Sequence, residues 1–330
     1  MIYKYFKLYS KKDTFAKAKF YQLTIISDFN DYHSKTPLAL SLGMFDGVHI
    51  GHLSIINTLN EIARSEDLES AILSFWPHPR KFLNPDDNVK MLNTLEEKLE
   101  LLEKSGIQNI FLKTFDEDFR NLTGSEFCEQ VLVDKLNVKH IIIGHDHTFG
   151  KNKSGNFDLL KSLSTELDFK VNQLEAVQSE DLNISSTKIR LALLDGRVAD
   201  ANKMLGYSYP LTGKVIHGKK LGRTIGYPTA NIDVPVNKLL PKSGAYIVEV
   251  WIENAFYKGM LSIGTNPTVD NENETLHTEV YILDFDQDIY GTEITVRFRD
   301  YLHDEIKFEG WEKLIEKLDL DKRLTEEFQF

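Results

Sequence analysis

Cysteine is almost absent: Cys128 stands alone among 330 residues, so no disulfide can close within the chain. Its place among Phe127, Val131 and Leu132 at helical spacing predicts a small buried side chain. No apolar run approaches the ~20 residues of a membrane-crossing helix, which predicts a soluble chain without a membrane partner. Positive charge is also scarce, with 39 Lys and Arg against 50 Asp and Glu. A net charge of −11 repels a phosphate backbone, so nucleic acid is not an expected partner, while local basic loops leave small phosphorylated ligands open. Internal repeats and low-complexity tracts are missing as well. Residues 1–20 lack the apolar core of a secretory signal and carry six lysines against Asp13, leaving −16 for the rest. They read as a poorly packed basic extension, and the expected location is cytoplasmic.

What is present reads as two domains, since 330 residues suffice for two separate cores. From Pro37, short apolar runs alternate with helical patterns: Leu38 to Leu42, a helix with Leu53, Ile56, Leu59 and Ala63 on one face, then Ala71 to Phe75. Thr94-x-x-Glu97 is a capping box and Gly106 a stop; Ile110 to Phe115, a helix near Ser125 to Leu136, Lys139 to Ile143, and helices ending at Gly196 and Gly206 follow. This predicts a doubly wound, Rossmann-like parallel sheet over residues 21–207. Beyond Tyr209-Pro210, strands near Gly213 to His217, Ala245 to Ile252, Tyr257 to Ile263, Thr278 to Leu283 and Glu293 to Phe298 lack intervening helices. Residues 208–330 are therefore expected to form a small β-barrel, with a closing helix laying Trp311, Leu314, Ile315 and Leu318 across it.

Gly43-Met-Phe45-Asp46-Gly47-Val-His49-Ile-Gly51-His52 falls where a strand turns into a helix. His49 and His52, three apart, share one face of the first turn, where free N–H groups already favour anions. Gly43, Gly47 and Gly51 are expected to allow a tight turn and close backbone approach to a ligand. The segment resembles the H-x-G-H signature of the nucleotidyltransferase superfamily, which implies that both histidines stabilise charge on a nucleoside triphosphate during transfer. A second helix start, Ile184-Ser-Ser186-Thr187-Lys-Ile-Arg190, looks like that superfamily's S-S-T-x-x-R motif and implies phosphate contacts from Ser186, Thr187 and Arg190. Taken alone it is simply a good N-cap. Phe75-Trp-Pro77-His78-Pro79 and Gly144-His-Asp146-His-Thr-Phe149-Gly150 occupy loops after strands. Zinc is disfavoured there, because His145 and His147 alternate along one short loop without a thiolate or Glu pattern.

In the second domain, glycines recur every four residues among three cations: Gly218-Lys219-Lys220-Leu-Gly222-Arg223-Thr-Ile-Gly226. Such a loop can wrap phosphates with backbone N–H groups. Thr229 and Asn231 then place two hard oxygen ligands on one side of an extended segment, suited to Mg²⁺. Together with Gly264 to Thr268, His277-Thr-Glu279, Tyr290-Gly291 and Leu302 to Phe308, these motifs are similar in kind and order to those of the bifunctional riboflavin kinase/FMN adenylyltransferases, the bacterial FAD synthetase family. The resemblance spans about residues 22 to 325. It implies adenine and flavin contacts from Pro77, His78, Pro79, Asp146 and Phe149, Mg²⁺ and nucleotide held by Thr229 and Asn231, and Glu279 as the base that takes the riboflavin 5′-hydroxyl proton. It also implies a flavin-side loop with His303, Glu305 and Phe308. The expected activity is phosphorylation of riboflavin to FMN by the C-terminal domain, then adenylylation of FMN to FAD by the N-terminal one, with ATP and Mg²⁺. Met44, Trp76, Thr148 and above all His303 depart from the family pattern, His303 standing where a permanent Arg charge is usual. One active half alone, a non-catalytic flavin-binding regulator, and transfer to another acceptor are the alternatives. Oligomeric state stays open.

Overall fold

The computed structural model describes residues 23–32, 35–84, 89–175, 178–179, 182–253, 255–265 and 276–330. The basic extension and residues 266–268 lie outside them. The chain divides into two compact units between Ser186 and Thr187.

The first unit contains β1 (Thr24–Ile26), β2 (Leu38–Leu42), α1 (Ile50–Ser65), β3 (Glu69–Phe75), α2 (Pro79–Leu83), α3 (Leu95–Lys104) and β4 (Asn109–Lys113). It continues with α4 (Glu117–Asn121), α5 (Gly124–Glu126), β5 (Val138–Gly144), α6 (Phe157–Leu163), β6 (Lys170–Leu174) and a short ladder of β7 (Gln178–Ser179) and β8 (Leu182–Asn183). Six parallel strands run in the order β1-β4-β3-β2-β5-β6. Their apolar runs are continuous because both faces are covered. Leu38, Leu40, Leu73, Phe111, Ile141 and Ile143 enter one core with Cys128 and Leu132, while Ala39, Ile72, Ile110 and Ile142 enter the other with Ile56, Leu59 and Leu102. Burial pushes the Cys128 thiol up to about 12.

Three local expectations need correction. The sheet begins before Pro37, at β1, whose three residues are too few to show a period. β4 ends at Lys113, two residues early, because Phe115 turns into an aromatic cluster with Phe75, Phe82 and Phe119 at centroid distances of 5.4, 5.7 and 5.9 Å. The helix near Ser125 is α5 continued by a π-helical turn over Phe127–Val133. Strand order reverses about β2, which lies between β3 and β5. The loops leaving β2 and β5 therefore border the crevice at the carboxyl edge where such sheets take ligands.

The second unit opens with α7 (Ser186–Leu194, its first residue in the first unit) and α8 (Val198–Leu205). β9 (Pro210–Ile216), α9 (Leu221–Thr224), β10 (Thr229–Asp233), β11 (Gly244–Ile252), β12 (Ala255–Thr265), β13 (Leu276–Ile282), β14 (Glu293–His303) and α10 (Trp311–Glu327) follow. The strands close an antiparallel barrel in the order β10-β13-β12-β11-β14-β9. Asn202 of α8 ties to it through its side-chain amide, donating to the Phe298 carbonyl at 2.8 Å and accepting from the Tyr209 N–H at 2.7 Å. α10 packs Leu318 on Tyr227, Met260 and Leu283. Trp311 does not join it: the indole is 54% exposed, since the inward face is carried by Leu318, Asp321 and Thr325 instead. β14 extends past Phe298 to His303, which pairs with Ala245, so His303 ends a strand rather than lying in a loop.

Two candidate active sites

In the first unit, the chain leaves β2 through residues 43–49. Phe45 (φ 48), Gly47 (φ 86) and Val48 (φ 34) adopt left-handed backbone, so the turn centres on 45–48; Gly43 and Gly51 do not share that conformation. Their lack of a Cβ acts through space: at Gly43 it would meet the Phe45 ring at 3.1 Å, and at Gly51 the His49 ring at 3.2 Å. Non-glycine residues at positive φ cost about 1–3 kcal/mol each unless the surroundings over-determine them. Here Phe45 and Val48 are buried, and the Asp46 carboxylate accepts from the backbone N–H of Leu92 (2.9 Å) and Asn93 (3.4 Å).

His49 caps α1, its Nδ1 accepting from the His52 N–H at 3.3 Å. That bond leaves the ring proton of neutral His49 on Nε2. The two imidazoles stack with centroids 3.6 Å apart and planes 13° from parallel. Burial lowers His49 to about 4. It lowers His52 well below its ordinary value, and His49 and Lys98 reinforce that effect. Both rings are thus neutral at pH 7, each able to present one N–H to an anion. His52 Nδ1 is buried without a hydrogen-bond partner. The Ser186 hydroxyl donates to the Asp46 carbonyl at 2.9 Å, bringing the start of the second motif to the first. Thr187 and Arg190 belong to the other compact unit.

Around this edge, His78 caps α2 by accepting from the Arg80 N–H at 3.1 Å, with Pro79 in the first helical position and Pro77 just before the cap. Asp146 is exposed. Phe149 turns inward onto Phe127 at 5.4 Å, held by the Gly155 backbone, where a Cβ would fall 2.4 Å from its ring. His147 stacks near Phe149 at 6.2 Å, and its Nε2 is buried without a hydrogen-bond partner.

The barrel gathers the other motifs. Register sets Asn231 of β10 opposite Glu279 of β13, and the Thr229 hydroxyl donates to Glu279 Oε2 at 3.0 Å. The glycine-rich loop before β10 contains the single turn α9, with Lys220 (φ 59) and Gly226 (φ 85) in left-handed backbone. A Cβ on Gly218 would lie 2.2 Å from Asn231 Nδ2, so the loop backbone rests directly on that amide. Gly222 is likewise pressed against the Tyr227 carbonyl, 2.2 Å from such a Cβ. Lys219, Lys220 and Arg223 are exposed, Lys220 Nζ lying 5.5 Å from the Tyr290 ring centroid, while His217 lies tilted against that ring at 3.9 Å. Across the barrel mouth, Glu305 covers Gly264, where a Cβ would meet its Oε1 at 2.6 Å, and Phe308 is half-buried.

His303 faces acceptors on both ring nitrogens: the Asp304 carbonyl at 2.7 Å from Nδ1 and the buried Asp321 carboxylate at 2.8 Å from Nε2. Lys317 donates to the same carboxylate at 2.6 Å. Neither Asp321 nor Lys98 was expected from the sequence, because both lie on helix faces that read as ordinary charged positions. Among the described residues, no group of three or more His, Cys, Asp or Glu is arranged to hold a metal.

Comparison with known proteins agrees with this division. A family model for FAD synthetase matches residues 31–188, and one for riboflavin kinase matches residues 205–329. A bifunctional riboflavin kinase/FMN adenylyltransferase from Listeria monocytogenes is 40% identical over 291 residues, covering 88% of this chain and 91% of the relative. Its namesakes from Bacillus subtilis (37%, covering 86% and 90%) and Escherichia coli K12 (35%, covering 88% and 92%) are similar throughout. A crystal structure named a macrolide-efflux protein, from Streptococcus pneumoniae, superposes with a TM-score of 0.85 at 34% identity, covering 93% of this chain and 99% of that one. Among the described residues of this chain, no helix is long and apolar enough to cross a membrane.

Proposed function

This chain belongs to the bifunctional riboflavin kinase/FMN adenylyltransferase family, and from that membership we propose how its residues share two successive transfers. It phosphorylates riboflavin to FMN in the barrel and adenylylates FMN to FAD in the N-terminal domain, using ATP for both. The observation that carries the assignment is that each motif sits in its own fold beside a backbone loop shaped for phosphate. We draw the functional boundary at residue 207/208, with α7 and α8 folding alongside the barrel.

In the barrel, Glu279 takes the proton from the riboflavin 5′-hydroxyl as that oxygen bonds to the γ-phosphorus and the bond to the β-bridging oxygen breaks, releasing ADP. The Thr229 hydroxyl, donating to Glu279 at 3.0 Å, aims the carboxylate. A hydroxyl has two acceptor lone pairs besides its one donor. Thr229 and Asn231 can therefore offer hard oxygens to Mg²⁺ entering with ATP, which suits a cation that is held mostly by phosphates and water. When bound, Mg²⁺ neutralises charge on the β- and γ-phosphates. Gly218, Gly222 and Gly226 let backbone N–H groups approach the phosphates, with Lys219, Lys220 and Arg223 supplying charge from solvent. His303, Glu305 and Phe308 border the flavin side.

In the N-terminal domain, an FMN phosphate oxygen bonds to the α-phosphorus of ATP while the α–β bridging P–O bond breaks, and pyrophosphate leaves. The neutral imidazoles of His49 and His52 donate to triphosphate oxygens as charge grows there, with Gly43, Phe45, Asp46, Gly47 and Gly51 shaping the loop. Ser186, Thr187 and Arg190 bind the outer phosphates, and Pro77, His78, Pro79, Asp146 and Phe149 shape the adenine and flavin surroundings. The work is cytoplasmic, without nucleic acid or membrane. Chromatography of products from riboflavin, ATP and Mg²⁺, and separately from FMN, tests the whole scheme. FMN followed by FAD is expected; FMN alone, or no product, refutes the two-site assignment.

A further inference from the structure

Behind the phosphate-facing loop of the first unit lies a charged group that neither signature contains. Lys98 is 1% exposed and follows directly on the Thr94/Glu97 capping box of α3. An ammonium removed from water costs several kcal/mol unless it is compensated, whereas an apolar side chain of similar length would fill the space without that cost. Compensation here runs toward the site. Lys98 Nζ donates to Ser74 Oγ at 2.6 Å, and the Ser74 hydroxyl donates to the Met44 carbonyl, 3.3 Å away within the loop that carries Asp46 and His49. Asp46 supplies the opposing charge. Its Oδ1 is engaged with the Leu92 and Asn93 amides, which in turn lead into α3. The charge of the same ammonium also acts on His52. The end of β3, the loop after β2 and the start of α3 thus converge on one cation close to the histidine pair.

At 1% exposure Lys98 cannot touch a triphosphate without rearrangement, so it acts through its neighbours. Resting on the reading of this site as the adenylyl-transfer centre, we propose that Lys98 is a positioning residue for FAD formation. Its ammonium braces the loop through Ser74 and keeps a buried positive charge close to His52, in the domain where the triphosphate gathers negative charge.

Burial lowers this ammonium to about 8. The groups that face it are Asp46 and His52, with His49 stacked on His52. Burial holds His49 down to about 4 and His52 well below its ordinary value, so both imidazoles are neutral above pH 7. Between pH 7 and 9.5 the two imidazoles stay uncharged while Lys98 passes from charged to neutral. As pH rises through about 8 the bracing charge is lost. The free-enzyme profile, kcat/KM for ATP in FAD formation, should fall along the same limb.

The test uses the full-length protein and its Lys98→Met and Ser74→Ala variants, assayed for FAD from FMN, ATP and Mg²⁺ between pH 6.5 and 9.5. Lys98→Met is expected to lower kcat/KM for ATP on the order of 10²-fold at pH 7, the usual effect of misplacing a transition-state contact, and to abolish the limb. Ser74→Ala should lower it about tenfold and keep the limb, since the charge remains. Riboflavin phosphorylation by the same samples should stay at the parent rate. Parent kinetics and an unchanged limb in Lys98→Met would reduce Lys98 to a structural residue. If Lys98→Met does not fold, parent kinetics in Ser74→Ala overturn the brace. A parent protein that makes no FAD from FMN refutes the site reading itself.

Discussion

Replacing both histidines of the first site by asparagine tests whether adenylyl transfer depends on their outer ring nitrogens. Asparagine keeps an acceptor close to the position of imidazole Nδ1, and it is among the best N-capping residues, so His49→Asn retains the cap on α1. The contribution of the cap itself, about 1 kcal/mol, is thereby kept. What is lost is the N–H that each neutral ring presents to the triphosphate. Losing one such donor typically costs about 10² to 10³ in rate, or about 2.7–4 kcal/mol, and two donors on one charge are not additive. FAD formation from FMN should therefore fall by at least about 10³, with FMN accumulating from riboflavin at the parent rate. Both products are read by chromatography, with circular dichroism confirming the fold. A double variant that makes FAD at the parent rate would remove both histidines from the chemistry. The lowered His49 value adds a stability signature. Below pH 6.5 the unfolded chain takes up a proton that folded His49 refuses until about 4, so stability declines as pH falls across that window. The decline, about 1.4 kcal/mol per unit for a single group, should be shallower in His49→Asn when thermal melts are compared.

Glu279→Gln keeps the side-chain shape and can still accept from Thr229, but it cannot take the hydroxyl proton. FMN formation should fall about 10²- to 10⁴-fold, while supplied FMN still becomes FAD; normal riboflavin phosphorylation would exclude Glu279 as the base. Thr229→Ala removes both a hard oxygen and the donor that aims Glu279. The Mg²⁺ and ATP concentrations for half-maximal FMN formation should rise, and an unchanged Mg²⁺ titration would take Thr229 out of the metal site. A Thr187–Phe330 fragment should fold and phosphorylate riboflavin. Residues 208–330 alone lose Asn202, leaving the Phe298 carbonyl and the Tyr209 N–H without their partner, at about 1–3 kcal/mol for each group left buried. The shorter fragment should melt several degrees lower, and equal melting temperatures would show that α7 and α8 contribute nothing to the barrel.

Much of the architecture was legible because its signals are local. Short continuous apolar runs such as Leu38 to Leu42 and Ala71 to Phe75 suit strands covered on both faces, the Thr94/Glu97 box opens α3 as its spacing requires, and the change of pattern near Tyr209 marks the start of the barrel. The order of motifs likewise indicated two phosphate-handling loops and the family. Short or context-dependent features were not legible. β1 has three residues and depends on β4 for its hydrogen bonds, α9 is one turn within a glycine-rich loop, and Trp311 follows the helical period of α10 yet remains exposed.

Charge was where tertiary structure decided most. The sequence marks His303 as a lost cation, but only the fold sets both its ring nitrogens against acceptors, Asp321 lying 18 residues away. Lys98 reads as one more lysine in a charged helix, and its burial beside Ser74, Asp46 and His52 depends on three separate elements meeting. Periodicity and motif spacing are carried by neighbours along the chain and survive in the sequence. Desolvation and the pairing of charges depend on distant residues, and only the packed structure brings those together.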